Sequence, residues 1–207
     1  MNTLIVYGTR YGLTERCAKS LAGKLSGKIQ LVNIENQPVN NISEYDRVII
    51  AASVYLGKIQ KSIIKFCDKN YSEILNKRIG IFICCCNQEK ASRYLEKSFT
   101  QEMLRRAWAK ECFGGQININ QLTFFEKLLV KLDKEMRKTE ILVDNIKKFA
   151  DVLEGDEPPE VHEPISNEVE ESTVDMEEFL EEVNKEVDEG LEYEQDNVEE
   201  EGNLRYD

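Results

Sequence analysis

Leu4-Ile5-Val6-Tyr7-Gly8-Thr9-Arg10-Tyr11-Gly12-Leu13-Thr14 runs straight into Glu15-Arg16-Cys17-Ala18-Lys19-Ser20-Leu21. The apolar, β-branched start reads as a strand, the glycine and hydroxyl residues as a turn, and the stretch from Glu15 to Leu25, with Ala18 and Leu21 on one face, as a helix. A turn of this kind suits an anion. The first helical turn leaves N–H groups without intrahelical acceptors, and the helix dipole favours negative charge at that end. Thr9 and Thr14 add hydroxyl donors, and Gly12 lets the backbone approach closely or take a positive φ. Hydrogen bonds to a charged group contribute about 1.5 to 3 kcal/mol each, so four or five can hold a dianion without a lysine. The spacing is neither GxGxxG nor the Gly-Lys-Ser/Thr ending of a P-loop, which disfavours a dinucleotide or ATP. An ordinary strand-to-helix turn with Thr14 as N-cap would explain the same residues.

Working outward, short apolar runs alternate with longer segments of helical period as far as about residue 153. This alternation belongs to βαβ units and a parallel sheet. Strands are expected at Leu4–Tyr7, Ile29–Asn33, Arg47–Ala52, Ile79–Cys84 and Glu111–Gln116, and helices at Thr14–Leu25, Ile59–Lys69, Lys90–Ala107 and Thr123–Leu153. The last is too long for one ordinary helix, so a break is expected near Arg137–Glu140. The middle strands are apolar almost continuously, as when helices cover both faces, whereas the run near Ile29 is shorter and more polar and suits an edge. The expected fold is α/β, a doubly wound five-stranded parallel sheet in the order 2-1-3-4-5. Ligands of such sheets sit beyond the carboxyl ends of the strands, which points to the loops after strands one, three and four.

The chain has 207 residues and a net charge of -12, and that charge is unevenly spread. Residues 156–207 hold 22 acidic side chains against Lys185 and Arg205, while residues 1–155 hold 25 bases against 17 acids. A basic body at 1–153 is therefore expected to carry an acidic, largely disordered tail at 154–207, entered through Pro158, Pro159 and Pro164. Within the tail, Met176, Phe179, Leu180, Val183, Val187 and Leu191 recur at helical spacing, so an amphipathic helix at about 173–191 is expected, either docking or only transient. No apolar run approaches the roughly 20 residues that span a bilayer, and no signal peptide is read at the start, so the expected location is cytoplasmic. Cys84, Cys85 and Cys86 are contiguous, which suits neither a simple disulfide framework nor zinc spacing, and no metal is expected. They read best as reduced, apolar residues at a strand end, with Cys86 alone facing a ligand. His162 is the only histidine and lies in the tail, which excludes imidazole-based catalysis in the body. Nothing in the pattern points to nucleic acid.

Ile5-Val6-Tyr7 with Thr9, Gly12, Thr14, Ala18 and Leu21 matches the phosphate-loop signature of the flavodoxins at every specified position. Over roughly residues 1–150 the chain resembles that superfamily, and within it the menaquinone-dependent protoporphyrinogen oxidases. The further likeness lies in Tyr45-Asp46-Arg47-Val48-Ile49-Ile50, Ala52-Ser53, Gly57, Phe66, Gly114 and Phe124-Phe125-Glu126-Lys127-Leu128-Leu129-Val130-Lys131-Leu132. The resemblance implies FMN as cofactor, its phosphate held by Thr9, Arg10, Tyr11, Gly12, Leu13 and Thr14. It implies one ring wall of Ser53, Val54, Tyr55, Leu56 and Gly57 and a second of Cys86, Asn87 and Gln88. Tyr55 would stack on the ring, and Gly57 would let the backbone turn toward it.

The implied activity is that of an FMN-dependent oxidoreductase or electron carrier, with the redox chemistry centred on the flavin and with a quinone, a porphyrinogen or a redox partner protein at the other end. An electron-transfer flavodoxin, or a flavin-binding scaffold whose tail recruits a partner, fits the same residues. Two features depart from the oxidases. Gln116-Ile117-Asn118-Ile119-Asn120-Gln121 stands where they carry a basic aromatic turn, and the loop after strand four is shorter. The basic, apolar segment Phe124–Lys138 can either pack on the sheet or rest on the inner face of a membrane where a quinone is collected.

Overall fold

Every strand of the central sheet runs parallel to its neighbours, and the reason lies in what separates them in sequence. The computed structural model describes residues 1–55, 57–115 and 140–157. Strand β1 (Asn2–Tyr7) is buried from Thr3 onward and pairs with β2 (Lys28–Asn33) on one side and β3 (Arg47–Ser53) on the other. Strand β4 (Arg78–Cys84) pairs with β3, and β5 (Ala107–Cys112) pairs with β4, completing the order β2-β1-β3-β4-β5. The expected order, the parallel sense and the edge position of the polar strand near Ile29 are all observed.

Because β1, β3 and β4 are apolar on both faces, each side of the sheet needs a cover. One face packs beneath α2 (Lys61–Lys69), α3 (Tyr71–Leu75), α4 (Ala91–Ser98) and α5 (Gln101–Arg106), where Ile63, Phe66, Ile74, Met103 and Leu104 meet Val48, Ile50, Ile79 and Ile81. The other lies beneath α1 (Leu13–Ala22) and α6 (Val143–Glu154), where Leu21, Phe149 and Leu153 meet Ile5, Ile49 and Phe82. Phe82, Phe113 and Phe149 form a buried aromatic triad, with Phe82 and Phe113 stacked at 4.1 Å and Phe149 edge-on to both. Each such pair adds about 0.5–1.5 kcal/mol beyond area burial. Helix α6 can come this close because β4 offers Gly80 beneath it, where a Cβ would stand 2.9 Å from Phe149 and 3.0 Å from Leu153.

At the amino end of the sheet the final turn of α6 is held by two arginines. Arg47, wholly buried, donates to Thr3 Oγ1 at 2.9 Å, to the Leu153 carbonyl at 2.8 Å and to Glu154 Oε1 at 2.7 Å. Arg78 donates to the carbonyls of Leu153 and Gly155 and lays its guanidinium 3.7 Å over the Trp108 ring. Cations at a helix carboxyl end satisfy orphan carbonyls and oppose the negative end of the dipole. With the back of the sheet closed in this way, the carboxyl edge is left for loops.

Three expectations are corrected. The fifth strand begins at Ala107 and ends at Cys112, earlier than Glu111–Gln116. The helix expected over Lys90–Ala107 is two helices, because Phe99 turns extended and Thr100 starts a new one, its hydroxyl accepting from the Met103 N–H at 3.3 Å. Helix α1 starts at Leu13 with Gly12 as its N-cap, so Thr14 is not the cap. After β5, β6 (Gly114–Gly115) pairs antiparallel with β7 (Glu140–Ile141), which places a non-helical stretch at Glu140 before α6. Leu56, Gln116–Gln121, the helix expected from Thr123 and the tail helix at 173–191 lie outside the described residues. The chain divides into two units, Met1–His162 and Glu163–Asp207, of which the second is wholly outside them. Among the described residues no helix is long and apolar enough to cross a membrane, and no cluster of metal-ligating side chains occurs.

Candidate functional site

The loop from β1 to α1 is shaped by its own short contacts. Gly8 N–H donates to the Ala51 carbonyl at 3.0 Å, tying the loop's first residue to β3. Thr9 Oγ1 accepts from the Gly12 N–H at 3.0 Å, which curls the next four residues into a turn. Gly12 takes φ +80°, a conformation that costs an L-residue about 1–2 kcal/mol, and no other atom lies within 4 Å of where its Cβ would stand. The constraint at Gly12 is therefore conformational, not steric.

Helix α1 begins on this glycine without a side-chain cap. Its first intrahelical bond runs from the Arg16 N–H to the Gly12 carbonyl at 3.2 Å, so the earlier amides of the turn have no acceptor inside the helix. Thr14, fully buried, sits among them. Its hydroxyl lies toward the Cys84 thiol yet makes no hydrogen bond. A buried hydroxyl without a partner costs about 1–3 kcal/mol, and native proteins seldom leave one so without cause. An uncapped helix start, a left-handed glycine and an unsatisfied buried hydroxyl together fit an anionic oxygen cluster.

The loop after β3 is held just as firmly. Ser53 and Gln60 clasp each other: Ser53 N–H donates to Gln60 Oε1 at 3.2 Å, and Gln60 Nε2 donates to Ser53 Oγ. Between them Tyr55 and Lys58 exchange both backbone bonds, at 2.8 and 3.1 Å, around a turn in which Gly57 has φ +75°. The turn lifts Tyr55 beside the first loop, and its ring meets Tyr11 edge-on at 6.5 Å. Arg10 closes the group, its guanidinium 3.8 Å over the Tyr55 ring and its Nε donating to the Tyr11 hydroxyl at 3.0 Å.

The third loop runs alongside, since Val54 N–H donates to the Cys84 carbonyl at 2.8 Å. Cys84 and Cys85 are buried, Cys86 and Asn87 half-buried and Gln88 exposed. Asn87 Oδ1 accepts from the Lys90 N–H at 3.1 Å, anchoring the loop ahead of α4. The Cys84 thiol is pushed well up by its interaction with Cys17 and by burial. It is a proton-bearing wall of the site and not a thiolate. Two contributors were missed in the sequence reading, Gln60 as the clasp on Ser53 and Gly8, where a Cβ would stand 3.1 Å from Ile63 and 3.2 Å from Gln60. The only sequence signal for either was position, Gly8 at the end of a strand and Gln60 just ahead of a helix.

The sheet order, the glycine-led helix start and the loops gathered at the carboxyl edge agree with the flavodoxin domain family, whose pattern matches residues 4–141. The chain belongs to that family. The flavodoxin-domain chain is similar to an uncharacterized protein of Methanocaldococcus jannaschii, with 37% identity over 83 residues, 40% of this chain and 53% of that one. The chain thus spans about half the length of this curated relative. Among solved structures it is similar to oxidised flavodoxin 1 from Bacillus cereus, with 15% identity, 74% of this chain and 97% of that one covered and a TM-score of 0.47. It is also similar to a Fusobacterium nucleatum flavodoxin bound to flavin mononucleotide, with 13% identity, 72% and 95% covered and a TM-score of 0.45.

Proposed function

We propose that this flavodoxin domain binds FMN across its three carboxyl-edge loops and acts as an FMN-dependent oxidoreductase or electron carrier. The observation that carries this is the buried, unbonded hydroxyl of Thr14 in an uncapped helix start. Thr9, Arg10, Tyr11, Gly12, Leu13 and Thr14 would hold the phosphate. Ser53, Val54, Tyr55, Leu56 and Gly57 would form one ring wall, and Cys86, Asn87 and Gln88 the other. When bound, the flavin supplies one- or two-electron transfer, and the protein contributes placement and electrostatics.

Each contribution has a physical basis in the residues present. The first-turn amides and the Thr14 hydroxyl bind the anionic end, and Thr9 keeps the turn in the shape that presents them. Tyr55 orients the ring by its face, for which Arg10 must leave or share that face. Gly57, already at positive φ, allows the Tyr55–Lys58 turn to reorient its peptide groups toward the ring. The buried Cys84 and Cys85 keep water from the floor of the site.

For the substrate, the likeness at Tyr45–Ile50 and Ala52–Ser53 supports oxidation of a porphyrinogen-like donor with a quinone acceptor, as in the menaquinone-dependent protoporphyrinogen oxidases. The second reading, an electron-transfer flavodoxin serving a partner protein, is supported by Gln116–Gln121, which carries no cation for propionate groups. The body at 1–153, a separate tail at 154–207 and a cytoplasmic location belong to both readings. Anaerobic mixing of the FMN-loaded protein with protoporphyrinogen and a menaquinone analogue decides between them. Fluorescent porphyrin supports the oxidase, whereas bleached flavin that a partner oxidoreductase reoxidises supports the carrier. A colourless protein that takes up no added FMN refutes both.

A further inference from the structure

Cys112 ends β5 and Cys85 follows the last residue of the neighbouring β4, and their sulfurs meet at 3.2 Å on one face of the sheet. Strands β4 and β5 are in register at Ile83 and Cys112, and Cys85 lies two residues beyond Ile83, so both thiols project to the same side. Cys112 lies outside the loops proposed to hold the flavin, and Cys85 is buried at the base of the third of them. The two residues are only 3% and 4% exposed, yet each sulfur has polar company. Cys85 Sγ lies 3.2 Å from the Asn87 carbonyl, to which it can donate, and the Gly114 N–H donates to Cys112 Sγ at 3.4 Å.

We infer that Cys85 and Cys112 are a redox-active dithiol that a small hydroperoxide oxidises to a disulfide, with Cys112 as the attacking sulfur and Cys85 as the resolving one. The division of labour follows from their surroundings. The hydrogen bond between the two sulfurs is the largest influence on Cys112 and, aided by the Gly114 N–H, outweighs burial, bringing that thiol down to about 7. The same hydrogen bond, together with burial, keeps Cys85 protonated. Cys112 is thus the sulfur that gives up its proton more readily and Cys85 the one that keeps it, which orders the two steps.

The chemistry balances with hydrogen peroxide as oxidant. The Cys112 thiolate attacks one oxygen, the O–O bond breaks, and the departing hydroxide takes a proton to become water. Cys85 then gives up its proton and attacks the sulfur of the Cys112 sulfenic acid; the S–O bond breaks and a second water leaves. One peroxide becomes two waters, and two thiols become one disulfide. Closing the sulfurs from 3.2 Å to the bonded distance of about 2.05 Å needs a shift of only about 1 Å. Both thiols are buried, so a peroxide would reach them through local opening beside β5, the last strand of the sheet. None of these steps requires a bound flavin.

The test treats the full-length protein with equimolar hydrogen peroxide, blocks remaining thiols under denaturing conditions and maps cysteine peptides by mass. The expected result is a Cys85–Cys112 cross-linked peptide lighter by two hydrogens, removed by dithiothreitol, while Cys17 and Cys67 stay fully alkylatable. Cys85→Ser should halt the reaction at a Cys112 sulfenic acid that dimedone traps, and Cys112→Ser should leave Cys85 a thiol. Wild-type mapping alone decides the matter if either variant fails to fold. Both cysteines recovered as thiols, Cys112 carried to sulfinic acid without a cross-link, or a disulfide joining another pair would overturn the inference.

Discussion

The guanidinium carbon of Arg10 stands 3.8 Å from the ring centroid of Tyr55, joining the loop after β1 to the loop after β3 across the mouth of the site. An exposed cation over a half-buried aromatic ring is worth about 0.5–1 kcal/mol. In the ligand-free protein, a double-mutant cycle of Arg10→Ala and Tyr55→Ala in urea unfolding should give a coupling of that size, and additive effects would mean the contact contributes nothing. Adding FMN should weaken the coupling, because Arg10 must then leave the ring face or share it with the flavin.

Thr14→Val should move two quantities in opposite directions. Replacing a buried, unbonded hydroxyl by a methyl of similar shape should raise ligand-free stability by about 1 kcal/mol. The same change should weaken FMN binding at least about tenfold, the equivalent of one charge-assisted hydrogen bond of about 1.5 kcal/mol. Unfolding curves and a flavin titration on one preparation check both signs, and an unchanged affinity would remove Thr14 from the phosphate site.

How far these residues could be read from sequence depended on the range of the interactions involved. The apolar runs of β1, β3 and β4 and the Gly12–Thr14 spacing are local signals, and the sheet order and site loops follow from them. Strand β5 was misplaced because its buried positions Ala107 and Ala109 are small and favour a helix as readily as a strand, so the helical period of Leu95, Met103 and Leu104 appeared to run through it. Thr14 looked like a cap because Ser and Thr commonly are, but Gly12 starts the helix two residues earlier. Arg47 gave no hint of burial, since its partners Thr3, Leu153 and Glu154 lie 44, 106 and 107 residues away.

Helix α6 should be sensitive to any side chain added beneath it. A Cβ at Gly80 would stand 2.9 Å from Phe149 and 3.0 Å from Leu153, so Gly80→Ala should destabilise by about 1–3 kcal/mol. A lowered urea midpoint with an unchanged slope is the expected reading. A neutral result would mean that α6 can shift outward at little cost.

Acid should loosen the same helix from its other end. Burial opposes the charge on Glu154, but hydrogen bonds from Ser26 and Arg47 prevail and hold its carboxyl below the usual value of 4.5. A carboxyl with a depressed folded pKa stabilises the protein above its unfolded pKa, and that stabilisation is lost as pH falls through the folded value. Wild type should therefore exceed Glu154→Gln in melting temperature near neutral pH, and the gap should narrow below the ordinary carboxylate range. A gap independent of pH would contradict the ion pair's role.

The most direct measurement compares FMN with riboflavin, which lacks only the phosphate, by titrating each into the flavin-free protein and following flavin fluorescence. If the first-turn amides of α1 and the Thr14 hydroxyl grip the anionic end, FMN should bind at least about a hundredfold more tightly, the worth of two charge-assisted hydrogen bonds at about 1.5 kcal/mol each. Equal affinity for the two, or no binding of either, would contradict the account.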